Sequence, residues 1–121
     1  MEFDWADYKT LAYQLRQQSD DAAKRSAISR VYYSVYHKAQ NYLKEKHDFQ
    51  VSRMGEGSHK RVWDGFRGKG RTFTAVAEKG IELKENRQKA DYDPAIIRLD
   101  DLLDESFIVA ERLLEYLGKL P

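Results

Sequence analysis

Residues 25 to 43 read RSAISRVYYSVYHKAQNYL, a stretch without glycine or proline. When its residues are placed about 100° apart around a helical wheel, the apolar side chains share one wide stripe. The stripe holds Ile28, Val31, Tyr32, Val35, Tyr36, Ala39, Tyr42 and Leu43. Ser19 and Asp20 offer an N-cap just upstream, so we predict the longest helix of the chain, reaching about Lys46.

Amphipathic segments also lie on both sides of this helix. Upstream, apolar residues at helical spacing predict a helix from about Asp4 to Gln17, with Asp4 as its N-cap. Downstream, residues 50–58, QVSRMGEGS, predict a loop that ends in Ser58 as an N-cap. The short helix that follows carries Val62, Trp63 and Phe66.

Two further helices complete the pattern. Thr72 is the expected N-cap of a helix from about Phe73 to Lys89, with core residues Phe73, Val76, Ala77, Leu83 and Ile81. Pro94 requires this helix to end by Asp93, because the residue before a proline disfavours the helical region. The last helix, from about Ile97 to Leu120, repeats Leu99, Leu102, Leu103, Ile108, Val109, Leu113, Leu114 and Leu117.

Four long helices and one short helix, with no competing strand pattern, predict an all-α fold. Because each apolar stripe must be buried, we expect an up-and-down antiparallel helical bundle that forms a single domain over residues 1–121. The absence of cysteine favours a reducing compartment, so we expect a cytoplasmic protein. No apolar run approaches the roughly 18 residues of a membrane span, and the histidine spacing predicts no metal or cofactor.

Charges are distributed unevenly along the chain. The segment 53–71 is basic, with Arg53, Lys60, Arg61, Arg67, Lys69 and Arg71 against Glu56 and Asp64, whereas residues 100–115 are acidic. In GFRGKGR at 65–71, the glycines and cations make Arg67, Lys69 and Arg71 candidate nucleic-acid or phosphate-binding residues. A solvated turn is the alternative. In a homodimer, the basic segment is also able to meet the acidic last helix of the twin.

Three stretches together resemble a known family, the HEPN domains. They are RSAISRVYYSVYHKAQNYL at 25 to 43, SHKRVWDGF at 58 to 66 and RQKADYDP at 87 to 94. The resemblance implies an all-α bundle that commonly dimerises, found in nucleotidyltransferase partners, toxins and RNA-directed defence proteins. Many active members are metal-independent ribonucleases, whose signature is an arginine followed after four to six residues by a histidine.

In this sequence the resemblance places the signature arginine at Arg87. After four intervening residues, Tyr92 stands where an active member has its histidine, and Asp91 lies beside it. An imidazole transfers protons at neutral pH more readily than a phenol does. Arg87, Tyr92 and Asp91 are therefore candidate catalytic residues, with Arg87 as a phosphate clamp. The alternative is structural, with Arg87 paired to a carboxylate and Tyr92 packed.

A second arginine and histidine lie on the long helix. Six residues separate Arg30 from His37, so the two share nearly the same angle, with Tyr33 flanking them. They form either a polar strip that meets another helix or subunit, or helpers of a site. We interpret His59 as a surface or cap-proximal histidine and expect His47 to be exposed at a helix end.

Two functions are compatible with these features. The favoured one is a helical module that binds a nucleotidyltransferase partner, a nucleotide or RNA in a toxin–antitoxin or defence-type system. The alternative is a metal-independent ribonuclease that acts as a homodimer. Some toxins of the family are silenced when a partner transfers nucleotides to a tyrosine beside the motif, so the resemblance makes Tyr92 a candidate acceptor.

Overall fold

A computed structural model of the chain describes residues 2–50 and 57–121. These residues form five α-helices and no strand, which confirms the all-α prediction. The helices are α1 (Ala6–Leu15), α2 (Asp21–Lys46), α3 (Ser58–Asp64), α4 (Arg71–Tyr92) and α5 (Leu99–Gly118). Most of the predicted loop at 50–58, including Arg53 and Glu56, lies outside the described residues. Within the described ranges, no helix combines the length and apolar character that a membrane span needs.

Helix α2 is the central element, and it contacts each of the other four helices. Its predicted N-cap is confirmed, because the Asp20 carboxylate accepts a hydrogen bond from the Ala23 amide at 3.2 Å. The predicted stripe is buried except at Tyr42, which is only partly buried. The buried side chains of all five helices join into one hydrophobic cluster around it.

Several helix ends differ from the sequence prediction. Helix α3 takes Gly57 as its N-cap and includes Ser58, and α4 begins at Arg71, so Thr72 lies inside the helix and is not its cap. The N-caps of both helices are glycines with positive φ, Gly57 and Gly70, a conformation that serine and threonine do not favour. The predicted end of α4 is confirmed, since Asp93 is extended before Pro94.

Helix α5 begins at Leu99, two residues later than predicted, because Arg98 takes a left-handed conformation with φ 63°. The prediction that Ile108 belongs to the core is wrong, since 51% of this residue is exposed. Phe107 and Val109 lie at the two edges of the buried stripe, each about 100° from Ile108, so Ile108 is on the opposite, exposed face of α5. Its apolar spacing along the sequence is therefore misleading.

Three of the acidic side chains of α5 pair with cations of α1, of its C-cap and of α2. Lys24 lies 2.7 Å from Asp100, Arg16 lies 2.9 Å from Asp104, and Lys9 lies 3.0 Å from Glu111. These pairs are exposed on at least one side, so each stabilises the fold only weakly. The acidic charge of α5 is thus partly compensated within the same chain.

Helix α3 approaches α4 very closely at one point. Trp63 is fully buried, and a Cβ atom added to Gly80 would lie 2.2 Å from carbons of its indole ring. Glycine is therefore required at position 80 for the observed packing of α3 on α4. This packing carries His59 of α3 to the side of α2, where the candidate site is found.

Candidate functional site

Arg87 is a buried cation of α4. Its side chain is 9% exposed, and its nearest carboxylate is Asp91, one helical turn on, with an Nη1 to Oδ2 distance of 3.4 Å. The Nε atom is buried and has no acceptor among the described residues. A buried donor without an acceptor costs about 1–3 kcal/mol, so an unpaired Nε points to a function or a missing ligand.

Two tyrosine rings of α2 border the guanidinium group. Its central carbon lies 5.6 Å from the ring centroid of Tyr32 and 5.4 Å from that of Tyr33. The negative faces of aromatic rings attract a cation, which stabilises Arg87 without satisfying its N–H groups. The rings thus hold the guanidinium while leaving its donor capacity partly unused.

His59 approaches the same two rings from α3. Its ring centroid lies 5.6 Å from that of Tyr32 and 5.8 Å from that of Tyr33, and the Tyr36 ring stacks on it at 4.4 Å. An imidazole and a guanidinium from different helices therefore meet at one pair of tyrosines. We call Tyr32, Tyr33, His59, Arg87 and Asp91 the Arg87 site.

A chain of hydrogen bonds orients the imidazole. The indole N–H of Trp63 donates to the Tyr32 hydroxyl at 3.2 Å, and that hydroxyl lies 2.6 Å from Nδ1 of His59. Tyr32 is fully buried, and among the described residues only Nδ1 is in position to accept its proton. We therefore assign the hydroxyl as donor to Nδ1, which places the imidazole proton on Nε2.

The surroundings keep His59 neutral. Burial, followed by the charges of Arg87 and Lys84, lowers the pKa of His59 to about 4. Burial also raises the pKa of the Tyr32 hydroxyl, so this group stays protonated. At neutral pH the site therefore offers a permanent cation and neutral N–H and O–H groups, with Asp91 as its carboxylate.

The last turn of α4 is fastened to α2. Ser29 donates to the Asp91 carboxylate at 3.3 Å. Arg25 donates from Nη1 to the backbone carbonyl oxygens of Ala90 and Asp93, at 3.1 and 2.6 Å. Carbonyl groups at a helix end lack partners within the helix, so Arg25 satisfies two of them and fixes the turn that carries Asp91.

Tyr92 lies on a different side of α4 from Arg87. Five positions along a helix correspond to a rotation of about 140° beyond one full turn. Accordingly, 75% of Tyr92 is exposed, whereas Arg87 is buried. Of the three candidate catalytic residues, the structure brings Arg87 and Asp91 together and leaves the Tyr92 ring open to solvent.

The three cations of the GFRGKGR segment are exposed, with Arg67 and Lys69 between α3 and α4. Arg67 pairs with Asp64 at 3.2 Å, and Lys69 donates to the backbone carbonyl of Gly65 at 2.7 Å. Arg71 is the exposed first residue of α4. Two of the three candidate phosphate-binding residues thus already have partners in or next to the segment.

The polar strip of α2 is covered by the start of the chain. The guanidinium carbon of Arg30 lies 4.8 Å from the ring centroid of Tyr8. The His37 ring stacks on Trp5 with centroids 3.5 Å apart and planes 13° apart. Arg30 and His37 thus meet aromatic rings at the start of the chain, whereas Tyr33 belongs to the Arg87 site.

Sequence reasoning missed His59, which it interpreted as a surface or cap-proximal residue. A usable signal was present, because His59 and Trp63 are four positions apart and so share one face of a short helix. Trp63 is a large apolar residue of a short helix, so the face that carries it is the one expected to pack against another helix. The same spacing joins Tyr32 to Tyr36 on α2.

Comparisons with known proteins add no assignment to this geometry. No family model matches the chain, and neither a curated protein nor a solved structure shows significant similarity to it.

Proposed function

We propose that this chain is a HEPN-like helical module that binds the phosphate groups of RNA or of a nucleotide at the Arg87 site. The observation that supports the proposal is the buried guanidinium of Arg87, whose Nε has no acceptor among the described residues. An oxyanion is the partner that suits such a group, because the planar guanidinium donates two parallel hydrogen bonds to phosphate or carboxylate oxygens.

The surroundings of Arg87 favour an exchangeable ligand over a structural ion pair. The contact with Asp91 is single and long, at 3.4 Å, where a strong charged hydrogen bond measures about 2.7–2.9 Å. An incoming phosphate therefore competes with a weak internal partner. The partly buried ring of Tyr33 adds an aromatic surface of the kind on which nucleobases stack.

The wider proposal follows the family resemblance. It places the module in the cytoplasm, as a single domain with an up-and-down antiparallel bundle, in a toxin–antitoxin or defence-type system. In this proposal the protein acts as a homodimer and has a nucleotidyltransferase as its partner. The high exposure of Tyr92 suits a hydroxyl that a partner enzyme must reach, and Ile97, 89% exposed in the nearby connection, offers apolar surface for such a contact.

One observation favours the alternative function, a metal-independent ribonuclease. His59 supplies an imidazole at the Tyr32 ring that Arg87 also borders, although the sequence has a tyrosine at the expected histidine position. RNA cleavage needs a group that takes the proton of the 2′-hydroxyl and a cation that stabilises the phosphorane. The lowered pKa of His59 makes it a weak base at neutral pH, so we favour binding over cleavage.

The proposal is tested by RNA binding of the purified protein. We expect a short fluorescein-labelled single-stranded RNA to bind, and Arg87→Lys to weaken binding about 10- to 100-fold, because lysine keeps the charge but loses the planar fork. Arg112→Gln, which removes an exposed arginine of α5, is the matched control and is expected to bind as the wild type does. Equal binding by wild type and Arg87→Lys would refute the assignment.

The same material separates the two functions. If the protein only binds, the RNA stays intact after long incubation with excess protein in EDTA. Cleavage in EDTA that is lost in both Arg87→Lys and His59→Gln would instead establish the ribonuclease. Thermal denaturation of each variant shows whether a loss comes from the site or from the fold.

A further inference from the structure

The Arg87 site contains a second donor, the imidazole of His59, and the fold determines which ring nitrogen carries its proton. Because the Tyr32 hydroxyl donates to Nδ1 of His59, the proton of the neutral imidazole lies on Nε2. The Trp63 indole fixes the Tyr32 hydroxyl in turn. The Tyr36 ring, stacked on the imidazole with an angle of 23° between their planes, restricts its rotation. His59 is thus a preorganised N–H donor, and it is only half-buried.

Access to this donor and to Arg87 is restricted. Only 9% of the Arg87 side chain is exposed, and the Tyr32 and Tyr33 rings border its guanidinium. A phosphate inside an RNA strand is flanked by sugars on two sides, and both sugars would have to fit against the rings that border Arg87. A terminal phosphate carries one sugar and three unesterified oxygens, so it is able to enter end-on and to accept several hydrogen bonds.

We propose that the Arg87 site binds a terminal phosphate monoester, at the end of an RNA strand or on a mononucleotide, with Arg87 and the Nε2 N–H of His59 as its two donors. This inference rests on the proposed function and specifies its ligand. Tyr32 is a positioning residue, because it acts on the ligand only by fixing the imidazole. The Asp91 carboxylate repels a bound anion. The ligand takes the place of Asp91 as the partner of Arg87, because the contact between these two residues is long at 3.4 Å.

The charges around His59 keep its imidazole neutral in the free protein. On α2 the imidazole packs against the rings of Tyr32, Tyr33 and Tyr36, with His37 nearby, and on α4 the Arg87 and Lys84 cations lie nearby, with Asp91 paired to Arg87. Burial and these cations disfavour a charge on His59, so its Nε2 keeps the proton that it donates.

The test compares one RNA sequence with a terminal phosphate and with hydroxyl groups at both ends. We expect the phosphorylated RNA to bind at least about tenfold more tightly to the wild-type protein, since two donors to a charged oxygen are gained. His59→Phe, which keeps a ring but has no N–H donor, should remove most of this preference. His47→Phe, at an exposed histidine that ends α2, is the matched control and should keep it.

Nuclear magnetic resonance of the imidazoles supplies a readout that needs no variant. Adding the phosphorylated RNA to the wild-type protein should shift the Nε2 resonance of His59 and leave that of His47 in place. Equal affinity for both RNAs, with binding that still depends on Arg87, would overturn this inference and leave the proposed function standing. An unshifted His59 resonance in the saturated complex would overturn it as well. Absence of any Arg87-dependent binding would remove both.

Discussion

Gly80→Ala is expected to destabilise the protein, although alanine favours a helix. The added Cβ would lie 2.2 Å from two carbons of the buried Trp63 ring. Carbon atoms in contact prefer about 3.5–4.0 Å, so α3 or α4 must shift by about 1.3 Å. Overpacking of this kind costs about 1–3 kcal/mol, occasionally more, whereas the gain in helix propensity is at most about 1 kcal/mol.

The net loss is therefore about 2 kcal/mol in the free energy of unfolding, because the ring is fully buried and has no room to turn away. For a chain of this length, that loss lowers the melting temperature by roughly 5–10 °C. Urea denaturation followed by circular dichroism measures the free energy directly. Gly118→Ala is the matched control, since it makes the same change in a helix with no atom within 4 Å of the new Cβ.

The outcome also tests how the candidate site is held. Displacement of Trp63 moves its N–H away from the Tyr32 hydroxyl, so the His59 resonances of Gly80→Ala should differ from those of the wild type. Trp63→Leu, which replaces the indole ring with a smaller side chain, should lower the free energy of unfolding less in the Gly80→Ala background than in the wild type. A Gly80→Ala protein as stable as Gly118→Ala would refute the close packing of α3 on α4.

Three further predictions follow from the same contacts. Tyr32→Phe leaves the indole N–H of Trp63 without its acceptor, so it should lower the free energy of unfolding by about 1–3 kcal/mol in urea denaturation; no change would contradict the assigned hydrogen bond. The unfolded chain takes up a proton at His59 near its ordinary pKa of 6.5, whereas the folded chain does so only near 4. The free energy of unfolding should therefore decrease as the pH is lowered from 6.5 to 4. A pH titration of the melting temperature checks this, and His59→Gln should reduce the slope. Arg25→Gln removes two bonds to carbonyl groups that end α4, so amide hydrogen exchange should accelerate in the last turn of α4 and not in its first.

The helical pattern of the fold was accessible from the sequence, and the close contacts were not. The stripe of α2 predicted its buried face because burial follows the period of a long, uninterrupted helix. The start of α5 was predicted too early, since nothing in its composition marks Arg98 as left-handed. The role of Gly80 depends on a ring that arrives from another helix, which no local pattern encodes.

The candidate site divides in a similar way. Arg87 and Asp91 are one turn apart, so their proximity follows from the sequence. The contribution of His59 depends on how α3 docks against α2 and α4, a long-range arrangement that helix periodicity does not fix. Tyr92 is next to Asp91 in the sequence but about 100° further round the helix, so it lies on an exposed side of α4 and outside the site.

The central claim is that the buried Nε of Arg87 is an anion donor, and the most direct measurement is its own N–H resonance. In protein labelled with ¹⁵N at arginine, we expect addition of a terminally phosphorylated RNA to shift the Arg87 Nε–H signal downfield and to slow its exchange with water, as a new hydrogen bond requires. The exposed Arg112 provides the unchanged reference signal. An Arg87 signal that stays in place while the RNA is bound would contradict the account.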